Sequence, residues 1–145
     1  MDAEQTVREF MAAVTADITA AAEFMDDDFS VTGMAPAPID KETFLALHGD
    51  FNRAMPDRRF ILSDVRSEGK TVSALVGMRG IHSGVLNVPI PGVEPVEPTH
   101  IQVDLPPSPM TFTLHDGKVA GIDAAPPPGG GLMGLLDQLG VKVPG

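Results

Sequence analysis

Val7, Phe10, Met11 and Val14 fall at i, i+3, i+4 and i+7, the spacing that gathers apolar side chains on one face of a helix. Asp2 stands where an N-cap would, and Asp17 offers a second cap for a short helix running through Ile18 to Phe24. Phe29 and Val31 then alternate with polar neighbours, as in a short strand, and TGMAPAPI (32–39) reads as a loop. Asp40 caps a third helix whose apolar positions are Phe44, Leu47, Phe51 and Met55, and Pro56 ends it. Gly49 weakens that helix by roughly 1 kcal/mol relative to Ala.

From Arg58 the period changes to two. Phe60 and Leu62 open a strand that runs to Arg66, and SEGK (67–70) is a hairpin turn. The return strand, Thr71–Ser83, carries Val72, Ala74, Val76, Met78 and His82 on one face. Thr71, Ser73, Leu75, Arg79 and Ser83 share the other, and Gly77, Gly80 and Gly84 are places to bend. Asn87–Thr99 holds four prolines and is expected to be a long loop. His100–Leu105 alternates, Pro106–Pro109 reads as a turn, and Met110–Leu114, HDGK (115–118) and Val119–Ala124 form a last hairpin. Pro126–Gly131 is a flexible joint before a short helix with Leu132, Leu135, Leu136 and Leu139 on its apolar side. Helices, then antiparallel strands, then a tail helix predict an α+β fold, with helices on one face of a curved antiparallel sheet and a single domain over 1–145.

Composition narrows what such a domain does. The net charge of −10 repels phosphate backbones and anionic lipid, so neither nucleic acid nor a membrane is an expected partner. Cys is absent, which removes disulfides, thiolate nucleophiles and cysteine metal sites. No basic segment precedes an apolar one near Met1, and no run approaches the ~18 apolar residues of a membrane span, so the expected location is the cytoplasm. Phe is the only aromatic residue besides His; Tyr and Trp are missing.

Among residues able to carry chemistry, His82 sits between Gly80 and Gly84 on the helix-facing side of its strand, where its ring would reach a pocket mouth and move a proton near neutral pH. It reads equally as a hydrogen-bonded residue holding the proline-rich loop. Asp123, between Ile122 and Ala124 on the last strand, is the second candidate acid or base; it reads also as an exposed strand-end residue. Arg79 suits a surface ion pair. His100, Gln102 and Asp104 share one strand face without a third ligand at a supporting spacing, so no metal is expected. His48 and His115 are expected to be solvated. Phe24, Phe51, Met55, Met78, Met110 and Phe112 are expected to be core or pocket wall.

The ordered segments DDDF (26–29), RAMPDRRF (53–60), EGKTV (68–72), GIHSG (80–84), HDGKV (115–119) and LLDQLGV (135–141) resemble the SnoaL-like polyketide cyclases, within the superfamily of nuclear transport factor two and ketosteroid isomerase. The resemblance implies a cone-shaped curved sheet wrapped around three N-terminal helices, an apolar pocket at the open end, and a homodimer formed through the outer sheet face. It implies a catalytic aspartate six residues beyond the DGK lysine and a histidine on the preceding strand. Those positions hold Ala124 and Met110 here, and the tyrosine that isomerase chemistry uses has no counterpart. Two functions remain open at this point. One is a cyclase, isomerase or hydrolase that needs no cofactor and acts on a small apolar or polyketide-like carbonyl compound, with His82 and Asp123 as proton carriers. The other is a non-catalytic dimeric binder of a small apolar ligand, or an orphan of the fold.

Overall fold

The structure, a computed structural model, describes residues 2–35, 37–88 and 92–142. Helix α1 spans Ala3–Ala16, α2 Ile18–Glu23 and α3 Lys41–Ala54. Each begins at the expected aspartate. Asp2 accepts the Gln5 N–H at 2.7 Å, Asp17 the Thr19 N–H at 3.1 Å, and Asp40 the Thr43 N–H at 2.9 Å, so each occupies an otherwise orphaned first-turn donor.

Six strands follow the order β2-β1-β6-β5-β4-β3: β1 (Met25–Thr32), β2 (Ile39–Asp40), β3 (Arg59–Glu68), β4 (Thr71–Ile81), β5 (Gln102–His115) and β6 (Lys118–Ala124). All neighbours are antiparallel except β1 and β6, which run parallel; β2, α3, β3, β4 and β5 lie between them in the chain, long enough for the crossover a parallel pair needs. The curved sheet carries α1–α3 on its concave side, as the periodicity predicts.

One expectation needs correction. Pro106–Pro109 is no turn; β5 passes straight through it. The register slips there, with Val76 facing Ser108 and Met78 facing Leu105, so β5 carries an extra residue. Prolines lack the N–H a ladder requires and are tolerated where it is interrupted. The bulge bends the long strand and closes the sheet over the helices.

The buried apolar residues form two clusters. Phe10, Phe29 and Phe44 stack at centroid distances of 5.0–6.2 Å in the first, beneath α1, together with Phe112 and Met25. The second lies at the other end of the sheet and includes Met55, Met78, Leu86 and Val103. Helix α4 (Gly131–Gln138) covers that end through Leu135, Leu136 and Leu139. A reciprocal pair of hydrogen bonds clips it to the sheet edge: Asp104 N–H donates to Gln138 Oε1 at 3.0 Å, and Gln138 Nε2 donates to the Asp104 carbonyl at 2.8 Å.

Candidate functional site

Between the two clusters lies a cavity of about 480 Å³, within the range usual for small-molecule sites. Helix α3 supplies Phe44, Leu47, His48 and Phe51; β4 supplies Val76 and Met78; β5 and β6 supply Leu105, Met110, Ile122 and Ala124; α4 closes one side with Leu132 and Leu135. The wall is almost wholly apolar, and its titratable groups among the described residues are His48 and Arg58. A shallower depression of about 310 Å³ between α1 and β3, bordered by Arg8, Thr15 and Arg59, holds no buried polar group.

Arg58 is 4% exposed, although a guanidinium is among the costliest groups to bury. Its aliphatic and planar parts are accommodated by Phe51 and Phe60, whose ring centroids lie 5.3 and 5.1 Å from the guanidinium carbon. Nη1 and Nη2 donate to His48 Nδ1 at 3.2 and 3.1 Å, and Nη2 also donates to Asn52 Oδ1 at 2.9 Å. Asn52 is fixed in turn by donating from Nδ2 to the Val14 carbonyl at 2.8 Å. Nη1 otherwise faces only Met78 Sδ at 4.0 Å, and Nε is buried with no partner. No carboxylate pairs with Arg58 among the described residues. Burial lowers its pKa to about 10, so the group is still charged at neutral pH.

His48 packs against Phe44 (centroids 4.2 Å apart) and edge-on against Phe51 (5.4 Å). Burial first, then the Arg58 charge, holds its pKa well below the ordinary 6.5, so the ring is neutral. Because Nδ1 accepts from a cation that cannot give up its protons, the ring hydrogen sits on Nε2. Nε2 makes no hydrogen bond to the described residues, and His48 is part of the cavity wall. The pair therefore presents hydrogen-bond donors and positive charge, and no base, to whatever enters.

The sequence-derived candidates are scattered by comparison. His82 is fully buried but does not line the cavity. Its Nδ1 accepts the Thr99 N–H at 3.2 Å and bonds the Thr99 hydroxyl at 2.9 Å, while its backbone pairs with Ile101 and His100. Burial lowers its pKa against the pull of the nearby Gly84 and Val96 carbonyls. The ring thus ties the loop, itself pinned by the Leu86–Val96 bridge, to the end of β4. Asp123 points to the exposed side of β6, where its carboxylate accepts from the Thr32 hydroxyl at 3.1 Å. Its neighbours Ile122 and Ala124 face the cavity instead, as strict alternation requires. His82 and Asp123 are therefore not brought together. Of the expected wall residues, Phe51, Met78 and Met110 line the cavity; Met55 and Phe112 are closed core, and Phe24 is half-buried beside α2. Arg79 pairs with Asp104 at 3.4 Å on the outer face, and His115 is exposed beside Asp26. His48, expected in solvent, is the correction. Phe44, His48, Phe51 and Met55 are spaced i, i+4, i+7, i+11, so the histidine interrupts an apolar stripe. Arg58 likewise shares the strand parity of Phe60 and Leu62. Both signals were legible, but each is an ordinary polar residue until its neighbours are known. Among the described residues no cluster of three acidic or histidine side chains is placed to hold a metal, and no helix is long and apolar enough to cross a membrane.

Comparison with known proteins bears on this fold. AclR, a candidate hydroxylase from Streptomyces galilaeus, superposes with a TM-score of 0.73 at 19% identity, covering 95% of each chain. IdmH, a candidate polyketide cyclase from Streptomyces antibioticus, gives 0.71 at 20% identity over 97% of this chain and 100% of its own. A candidate SnoaL-like polyketide cyclase from Jannaschia sp. CCS1 gives 0.65 at 22%, over 83% and 81%. At such identities the likeness establishes architecture and no more. No curated protein shows significant sequence similarity to the chain. The family model of the SnoaL-like domain matches residues 7–122, most of the chain and every strand of the curved sheet except the end of β6. The chain belongs to the SnoaL-like domain family.

Proposed function

We propose that the chain is a cofactor-independent enzyme of the cyclase or isomerase type, acting on a small apolar or polyketide-like carbonyl compound held in the cavity. The observation that carries this reading is the neutral His48 bonded to a buried, charged Arg58 in an otherwise apolar wall. A neutral imidazole whose Nε2–H faces the substrate is an electrophile: it hydrogen-bonds a carbonyl oxygen and stabilises the negative charge that develops there. Arg58 fixes the tautomer and adds a positive field in a low-dielectric site. For ring closure, an enol carbon of the substrate attacks its own polarised carbonyl. The carbon–carbon bond forms, the carbonyl π pair moves to oxygen, and the proton released by the enol ends on the new hydroxyl. The cavity lends no base, so the reading requires a substrate that already enolises readily.

That missing base, with Ala124 and Met110 at the positions the resemblance makes catalytic, is the specific observation favouring a second reading, a non-catalytic binder. Turnover of apolar β-dicarbonyl compounds, followed by loss of enol absorbance and by NMR of products, separates the two. The enzyme reading expects acceleration that falls ~10²–10³-fold in His48→Gln. Saturable binding without turnover of any compound would leave the binder. The same proposal includes a cytoplasmic protein that pairs with a second copy through the outer sheet face, where Ile61 and Ile81 are exposed.

A further inference from the structure

We infer that the natural ligand is an apolar monocarboxylate, whose carboxylate supplies the counter-ion that Arg58 lacks among the described residues. The inference deepens the reading of the cavity as the binding site and rests on it.

Buried cations in folded proteins are paired. Arg58 is 4% exposed, yet its partners are two neutral acceptors, His48 Nδ1 and Asn52 Oδ1. Nε–H is buried and unpartnered, and one Nη1 hydrogen has only a thioether 4.0 Å away. The protein has acidic residues to spare, with a net charge of −10, and the described part of the chain places none of them here. Nε is closed off from the cavity, so the donor left for a ligand is the Nη1 hydrogen that meets only Met78 Sδ, where both residues line the cavity; a carboxylate oxygen suits that donor, with His48 on the same wall. The charge balance sets the class. One cation and a neutral imidazole match a monoanion, whereas a phosphate dianion would leave a buried negative charge unmatched. The rest of the wall, Phe44, Leu47, Met110 and Leu135 among others, selects an apolar body.

The test compares decanoate and 4-phenylbutanoate with their primary amides, which share shape but not charge. Binding is read by the shift of the thermal unfolding midpoint and by ¹⁵N-resolved NMR titration. For the wild type, at least one carboxylate is expected to bind about tenfold or more tightly than its amide. Arg58→Met should abolish that preference, Arg58→Lys should keep part of it, and Ala124→Phe should reduce binding of acid and amide alike. Equal affinity of both acids and their amides would overturn the inference, as would a preference that survives in Arg58→Met. If Arg58→Met does not fold, Arg58→Gln takes its place in the comparison. Failure here is distinguishable from failure of the enzyme reading. Turnover of neutral β-dicarbonyl compounds with no carboxylate preference sinks only this inference, and carboxylate binding without turnover of any compound sinks only the other.

Discussion

On the proposed reading, Arg58 serves a ligand at the expense of the fold. Its pKa, about 10 against the ordinary 12.5, reflects a charge held in apolar surroundings, at a cost of about 3 kcal/mol to the unliganded protein. Replacement by Met removes that penalty and forfeits the bonds to His48 and Asn52, worth about 1 kcal/mol each. Arg58→Met is therefore expected to unfold in urea at a midpoint no lower than wild type; a loss of more than ~2 kcal/mol would make Arg58 a structural residue instead. His48 gives a pH signature. It is neutral when folded, and its unfolded form takes a proton below about 6.5, so the unfolded chain binds more protons there and stability falls as pH drops through that value. His82 acts in the same direction. His115, raised by its hydrogen bond to Asp26, acts oppositely: its contribution is present below about 6.5 and fades as pH rises through its higher folded value, but it is exposed and weak. Urea midpoints measured between pH 7.5 and 5 should decline in wild type and decline less steeply in His48→Asn, whose amide oxygen stands where Nδ1 does and accepts from Arg58 but cannot titrate.

At the scale of elements, the glycines between β4 and the loop answer to packing. Ser83 and Gly84 both donate to the Ala54 carbonyl, at 3.0 and 2.9 Å, which seats the end of β4 on the C-terminus of α3. A Cβ on Gly84 would stand 2.5 Å from the Arg53 carbonyl oxygen, which is backbone and cannot swing away. Gly84→Ala is expected to cost about 1–3 kcal/mol, read by chemical denaturation, and to shift the NMR resonances around His48 and Arg58 through α3. Helix α4 is held by the Gln138 side chain at both of its polar atoms. Gln138→Ala should cost only about 1 kcal/mol in global stability, while amide exchange in α4 rises and ligand affinity falls, because Leu132 and Leu135 form one wall of the cavity. The same element scale explains the misread prolines. Four residues of turn-forming composition predict a turn when taken alone, but β4 runs beside that stretch and holds it extended, leaving only a bulge.

For the whole molecule, the proposed pairing of two copies has a direct check. Sedimentation velocity is expected to show a dimer, and Ile61→Glu with Ile81→Glu to yield monomer that retains the far-ultraviolet spectrum. A wild type that sediments as a monomer at high micromolar concentration would remove the dimer from the proposal. The fold was readable from the chain because each of its determinants is local or periodic. Aspartates stand at the helix starts, Val7 to Val14 mark a helical face, Val72 to Met78 mark a strand face, and HDGK makes a turn in which Asp116 and Gly117 take positive φ. Along β6, Asp123 faces outward and Ala124 inward by alternation, so the candidate acid of the last strand is turned from the cavity by a count of one residue. The site was not readable in this way. His48 lies on α3 and Arg58 just ahead of β3, and their bond exists because α3 ends at Ala54, two residues before Pro56, and the chain doubles back beneath its own last turns. Neither residue differs in pattern from a surface His or Arg. Their chemistry arises from what surrounds them, three phenylalanine rings and, among the described residues, no carboxylate, and desolvation is a property of assembled neighbours rather than of any stretch of chain.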